Sequence, residues 1–247
     1  MIPKIIHYCW FGGNPLPESA KKCIASWHKF LPDYEIKEWN ESNFNVNIIP
    51  YTAEAYKAKK YAFVSDYARF YILYKYGGLY FDTDVEVIRN MDDIIARGPF
   101  MGFEKTNNSN TIQLWVNPGL GLGASIGNDF YKSILEYYRD IHFHTSVNLQ
   151  YQETVVSITT KLLKGKGLII NNQYQEIDGL YIYPSDFFDP MNEITFKLSI
   201  TDNTRSIHLY SGSWLGKTAK RKMKLKRILG PYFTSLILWL KRKSIRK

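Results

Sequence analysis

The sequence predicts an α/β protein, a mixed and mostly parallel sheet flanked by helices, with a basic amphipathic C-terminal tail. Three observations lead there. The first ninety residues alternate strand-like and helix-like stretches, the pattern of a sheet with helices on its faces. The apolar stretch Ala62–Tyr76 is helix-length and stops at Gly77-Gly78, the residue type that best tolerates a left-handed cap. The 247-residue chain is 45% hydrophobic and 22% charged, a composition able to bury a sizeable core.

The elements follow in order. Residues 2–11 are rich in β-branched and aromatic types and end at Gly12-Gly13, a strand and a turn. Glu18–Phe30 is a helix, with Ile24, Trp27 and Leu31 spaced for one buried face, and Pro32-Asp33 ends it. Tyr34–Trp39 alternates as a second strand, 40–47 is a polar loop, and Ala53–Lys60 is a short helix. After the Ala62–Tyr76 helix, Leu79–Val87 is a strand. Strand and helix candidates then alternate: Phe100–Glu104, Thr111–Asn117, Asn128–His142, Glu153–Leu163 and Leu168–Asn171. Asn192–Asp202 is a hairpin or a loop, and Ser206–Tyr210 a short strand before Ser211-Gly212-Ser213-Trp214.

The net charge of +9 is unevenly placed. Twelve basic residues and no acidic one fall in 216–247, which leaves residues 1–215 at −3. The sequence therefore divides into a domain over 1–215 and a basic, apolar segment over 216–247. Cys9 and Cys23 have no metal-like or redox-like spacing, which favours a reducing compartment and two buried thiols. The N-terminus reads as a strand rather than a leader.

The chemistry concentrates in GGLYFDTDVE, residues 77–86. Extended side chains alternate faces, so Tyr80, Asp82 and Asp84 share one. Two carboxylates that close repel unless a cation or solvent relieves them, and oxygen ligands suit hard divalent ions that keep positions open for phosphate. Ligands of open α/β sheets collect at the carboxyl ends of strands. The preceding helix strengthens the case: Asp66, Arg69 and Leu73 share one stripe of an otherwise apolar helix. Arginine offers a planar fork of donors, and aspartate accepts from hydroxyls.

The stretch SDYARFYILYKYGGLYFDTDVEVI resembles the sugar-binding region of the family 32 glycosyltransferases, and is also similar to the glucosyltransferase domains of large clostridial toxins. The opening IPKIIHYCWFGG is similar to the family's first strand; YPSDFFDP and IHLYSGSW resemble its later elements, the former mostly in bacterial capsular-polysaccharide members. The resemblance spans residues 2 to about 215 and implies a GT-A fold, a nucleotide-sugar donor such as a UDP-hexose, Mn²⁺ or Mg²⁺, and transfer with retention. Carried over by residue, it implies that Trp10 stacks on the donor base, that Asp66 and Arg69 hold the sugar hydroxyls, and that Tyr80 lies beside the ribose. Asp82 then reaches ribose, sugar and metal-bound water, and Asp84 ligates the metal. Asn117 lies near the transferred sugar and Trp214 closes over the diphosphate. His208 and Ser213 are rival further metal ligands. Where the family often has Gly-Pro, this chain has Tyr151-Gln152-Glu153-Thr154; Gln152 and Glu153 are acceptor-side candidates, and the acceptor stays open. No residue stands out as a covalent nucleophile, so front-face attack assisted by the leaving phosphate is the mechanism implied.

In the tail, basic Lys217–Arg227 and Lys241–Lys247 flank the apolar Ile228–Leu240. Thirteen helical residues span about 20 Å, short of the roughly 30 Å hydrocarbon core, so a segment lying on an anionic membrane surface is expected rather than a span. A nucleic-acid arm has no use for the apolar block. The expected protein is thus a metal-dependent hexosyltransferase acting on a lipid-linked or surface polysaccharide, cytoplasmic and peripheral at the inner face of the membrane. Two alternatives stand: a toxin-like transferase modifying a protein, and a non-enzymatic basic peripheral membrane protein whose two aspartates cap a loop.

Overall fold

The computed structural model describes residues 1–108, 111–144, 153–193 and 195–212, together with Arg221, Leu225 and Gly230. Gln152, Ser213, Trp214 and nearly all of the basic tail lie outside the described residues. Among the described residues, no helix is long and apolar enough to cross a membrane.

Strand β1 (Ile5–Cys9) lies between parallel neighbours β2 (Glu35–Trp39) and β3 (Gly78–Tyr80). Helix α1 (Glu18–Phe30) makes the first crossover; α2 (Pro50–Lys57) and α3 (Tyr61–Tyr76) make the second. Helix α2 begins three residues before the expected position because Pro50, with its fixed φ and no N–H to leave unpaired, occupies the first turn. The expected strand Leu79–Val87 is in fact two: β3 ends at Tyr80, and β4 (Val85–Val87) belongs to a separate ribbon with β10 (Ser206–His208). A turn closed by Val85 N–H donating to the Asp82 carbonyl (3.0 Å) separates them.

Beyond α4 (Asp92–Ile95), β5 (Phe100–Asn108) pairs antiparallel with β6 (Thr111–Val116) and with β7 (Leu122–Ala124), which joins β5 to β3. Helices α5 (Asp129–Arg139) and α6 (Val155–Gly165) start at side-chain caps, Asn128 and Thr154. Strands β8 (Gln175–Ile177) and β9 (Leu180–Tyr183) form a hairpin, and β9 runs parallel to β5. The main sheet reads β2-β1-β3-β7-β5-β9-β8, with β6 on β5. The apolar run Leu168–Asn171 is not the expected strand: the side-chain amide of Gln175 takes both the N–H and the carbonyl of Ile169 (2.9 and 2.8 Å). The described residues of 192–202 form a loop, and an isolated bridge joins Met191 to Leu198.

Successive residues of the strands feed two cores. Tyr80, Met101 and Ile182 face the layer of α2, α3, α5 and α6; Leu79, Phe81, Phe100 and Tyr183 face α1 and the β4 side. Trp27 of α1, fully buried, donates its indole N–H to the Val85 carbonyl (2.8 Å) and ties helix to ribbon. Gly77 and Gly78 sit at φ 64° and 99°, and a Cβ on Gly78 would stand 2.5 Å from the Ile5 carbonyl, so the sharp entry into β3 requires glycine.

His7 fastens the same entry. Its Nδ1 accepts from Trp39 Nε1 (3.0 Å), so Nε2 carries the hydrogen and donates to the Gly77 carbonyl (3.0 Å). Burial lowers its pKa from 6.5 to about 4. The unfolded chain therefore binds the extra proton between these values, and stability falls as pH drops through that window and is whole above 6.5. The effect amounts to at most about 3 kcal/mol. Denaturant unfolding of wild type and His7→Asn at pH 7 and pH 4.5 is expected to show a wild-type deficit at acid pH that the variant lacks. Equal pH slopes would refute the assignment.

Candidate active site

The carboxyl end of β3 and the turn after it meet the middle of α3. Arg69, 3% exposed, points its guanidinium at two carboxylates: Nη2 lies 3.0 Å from Asp66 Oδ1 and 3.1 Å from Asp82 Oδ1, while Nε donates to the Ser65 carbonyl (3.2 Å). The Tyr80 hydroxyl donates to the same Asp82 oxygen (3.2 Å), and its ring lies under the guanidinium at 5.1 Å. Arg69 is thus a charged clamp between helix and strand. Burial works against its charge, but Asp82, Tyr80 and Asp66 hold it firmly protonated. Burial pushes Asp66 up to about 7, against the pull of Arg69. Asp82 is also raised by burial, and its side chain keeps 27% of its surface open.

Asp84 is brought beside Asp82 by the turn, not by strand alternation. The segment after β10 grips it from the other side: Leu209 N–H donates to its carbonyl, and both the backbone N–H and hydroxyl of Ser211 donate to Oδ2, each at 2.8 Å. His208 Nε2 lies 3.3 Å from Oδ1. Burial opposes charge on both partners, yet the pairing wins: His208 is raised to about 9 and Asp84 held well below the usual carboxylate range. Ligand atoms of Asp82, Asp84 and His208 all lie within 4.8 Å of one another. Two carboxylates and an imidazole form a donor set suited to Mn²⁺, and the buried His208 Nδ1 has no hydrogen-bond partner among the described residues.

Asn117 caps the short turn Pro118–Leu120, its Oδ1 accepting from Gly119 N–H at 2.6 Å. A Cβ on Gly119 would stand 2.6 Å from Asp82 Oδ2, so this turn is pressed against the acidic pair. The structure therefore gathers Asp66, Arg69, Tyr80, Asp82, Asp84, Asn117 and His208. Trp10, just past β1, is half-buried and donates its indole N–H to the Asn14 carbonyl (2.6 Å). Glu153 is turned to Lys161 (3.2 Å) and the Tyr137 hydroxyl.

Several site residues escape the sequence reading. Glu104, 8% exposed, ends the expected strand Phe100–Glu104; a lone acid closing an apolar strand was the available signal. Asp189 and Tyr210 join it: the Tyr210 hydroxyl donates to Asp189 Oδ1 (2.6 Å), and Asp189 Oδ2 accepts from Lys105 N–H (3.0 Å). The buried Cys9 thiol is pushed up to about 12 by desolvation, an inert floor beneath Tyr80 and Arg69.

Residues 17–101 match the family described as glycosyltransferase sugar-binding region containing DXD motif. Inositol phosphoceramide mannosyltransferase 3 of Schizosaccharomyces pombe is 37% identical over 101 residues, 38% of this chain and 27% of that protein. An uncharacterised glycosyltransferase of Acanthamoeba polyphaga mimivirus is 33% identical over 114 residues, 44% of this chain and 45% of that one. The matched stretches thus span less than half the length of these curated relatives. Among solved structures, the PaToxG glycosyltransferase superposes with a TM-score of 0.47 at 17% identity, covering 67% of this chain and 70% of that one. Residues 17–101 are thus similar to a glycosyltransferase sugar-binding region that contains a DXD motif, and Asp82-Thr83-Asp84 is the Asp-x-Asp sequence within the matched stretch.

Proposed function

We propose that the protein transfers a hexose, with retention, from a nucleoside diphosphate sugar to a hydroxyl of a lipid-linked or surface glycan, and that a divalent cation at Asp82, Asp84 and His208 is required. The observation that carries this reading is the convergence of the three ligand-type side chains within 4.8 Å, beside an arginine that bridges Asp66 and Asp82. When bound, the cation neutralises charge on the departing diphosphate. The protein's own groups do the rest. Asp66 and Asp82 accept from sugar hydroxyls, and the Arg69 clamp fixes both carboxylates before the donor arrives, so no reorganisation is needed at the moment of transfer. The Asn117–Gly119 turn walls the pocket against Asp82, and Trp10 offers a ring to the base.

The donor is a UDP-hexose or GDP-mannose; the names of the fungal relatives, which act on inositol phosphoceramide, support mannose and a lipid-borne hydroxyl. The basic and apolar stretch 216–247 supports a peripheral position at the inner face of a membrane. The test is a thermal-shift and hydrolysis screen of UDP-glucose, UDP-galactose, UDP-N-acetylglucosamine and GDP-mannose, each with and without Mn²⁺. One donor should raise the melting temperature only when Mn²⁺ is present and be slowly hydrolysed. If no donor does either with Mn²⁺ or Mg²⁺, the reading fails.

A further inference from the structure

Asp189 closes the short turn after β9 and is 5% exposed, with no part in the reading above. A buried carboxylate is costly unless its oxygens are hydrogen-bonded. Both of these are: Oδ2 accepts from the Lys105 N–H of β5 (3.0 Å), and Oδ1 accepts from the Tyr210 hydroxyl (2.6 Å). Its own N–H donates to the Ser185 carbonyl (2.7 Å), so the residue is fixed at the backbone as well. The same turn holds the other side of β10, where Arg205 N–H donates to the Phe187 carbonyl (2.8 Å). Residues 187–189 therefore grip the chain both before and after His208.

Tyr210 is where that grip acts on the acidic site. It sits at φ 48°, a left-handed conformation rare for a bulky residue, which persists only where the surroundings impose it. The hydroxyl on Asp189 is a distant anchor for that backbone. On either side of Tyr210 lie the two N–H groups that hold Asp84: Leu209 on its carbonyl and Ser211 on Oδ2, each at 2.8 Å. The Tyr210 ring also packs on the His208 ring, with centroids 4.4 Å apart. An imidazole that ligates a metal is usually oriented by a hydrogen bond at its other nitrogen. His208 Nδ1 has none among the described residues, so the packed Tyr210 ring takes over that task.

Resting on the function proposed above, we propose that Asp189 is a positioning residue for the cation site. Through the Tyr210 hydroxyl it holds 209–211 in the conformation that presents Ser211 to Asp84, and keeps His208 Nε2 aimed at the same carboxylate, 3.3 Å away. Asp189 acts through Tyr210 and is not itself a ligand.

The test compares Asp189→Ala, Asp189→Asn, Tyr210→Phe and the Asp189→Ala/Tyr210→Phe double variant. Mn²⁺ alone is titrated into each, with binding read by electron paramagnetic resonance. Asp189→Ala and Tyr210→Phe should each weaken Mn²⁺ binding by about 10- to 100-fold, the usual scale for losing a group that orients a metal ligand. With the donor that wild type turns over, the Mn²⁺ needed for half-activity should rise in step, while kcat at saturating Mn²⁺ stays within a few-fold. Asparagine can accept from Lys105 N–H with its carbonyl and donate to the Tyr210 oxygen with its amide, so Asp189→Asn should stay within a few-fold of wild type throughout. The double variant should be no worse than Asp189→Ala alone, the mark of one shared pathway. Should Asp189→Ala not fold, Tyr210→Phe, which removes only the hydroxyl, decides the matter. Wild-type Mn²⁺ binding by Tyr210→Phe, an Asp189→Asn loss as deep as that of the alanine variant, or additive losses in the double variant overturns the proposal. A metal-free readout separates this from the function. In amide hydrogen exchange, Leu209 and Ser211 should exchange about ten-fold faster or more in Asp189→Ala and Tyr210→Phe, because local opening is easier once the anchor is gone. The Phe81 amide, bonded to the His7 carbonyl, should be unchanged. If wild type binds no Mn²⁺ and turns over no donor, the reading of function fails, while exchange at Leu209 and Ser211 still decides whether Asp189 holds the segment.

Discussion

Asp84→Asn is expected to lower Mn²⁺-dependent turnover by about 10³-fold or more, equivalent to about 4 kcal/mol of transition-state stabilisation, while leaving the fold in place. Asparagine keeps a carbonyl oxygen for the two Ser211 donors but loses the charge that a divalent ion requires. The variant should therefore bind donor weakly and show no thermal shift with Mn²⁺. Asp84→Ala should match it in turnover and lose more stability, since Ser211 and Leu209 are anchored on this residue. Stopped assays with radiolabelled donor and a Mn²⁺ titration read both effects. A variant with turnover within ten-fold of wild type, saturating at the same Mn²⁺ concentration, would remove Asp84 from the metal site.

Arg69→Met should be the most destabilising change in the site, by about 3–5 kcal/mol, the cost of stripping a buried cation from its carboxylates. Methionine fills the space of the stem but leaves Asp66 and Asp82 facing each other without their bridge. Asp66 already titrates near 7 with the arginine present, and without it the carboxylates are raised further. The sign follows: a carboxylate raised in the folded state is favourable when protonated, so the variant's deficit is smallest at acid pH and grows as pH rises. Urea melts at pH 5.5 and pH 8 should show the larger gap at pH 8. Arg69→Lys should recover only part of the loss, because a point charge cannot serve Asp66, Asp82 and the Ser65 carbonyl in one plane. A pH-independent deficit would mean that packing, not charge, holds the site.

Much of this arrangement was legible in the chain. The α3 stripe of Asp66 and Arg69 was readable because charges in an apolar helix have to be paired or used, and the Gly77-Gly78 stop is local chemistry. The break after Tyr80 was not readable: apolar and polar residues keep alternating through Leu79–Val85, and only β10, more than a hundred residues later, pulls β4 into another sheet. The β8–β9 hairpin did leave a local mark, Asp178-Gly179, both at positive φ, and could have been found from that dipeptide. The strand expected at Leu168–Asn171 failed because a side chain, Gln175, outcompeted any strand for the backbone, which periodicity cannot foresee. Glu104, Asp189 and Tyr210 come from three separated segments and meet only in the fold.

The DXD motif bridges two bodies. Asp82 hangs from the large sheet and is gripped by a helix; Asp84 is mounted on the two-stranded ribbon with His208 and Ser211. The pair works like a vice whose jaws are built separately. On the function proposed above, a change in the ribbon would reach the cation through Asp84 and His208, whereas a change at Asp82 would be felt by cation and sugar alike.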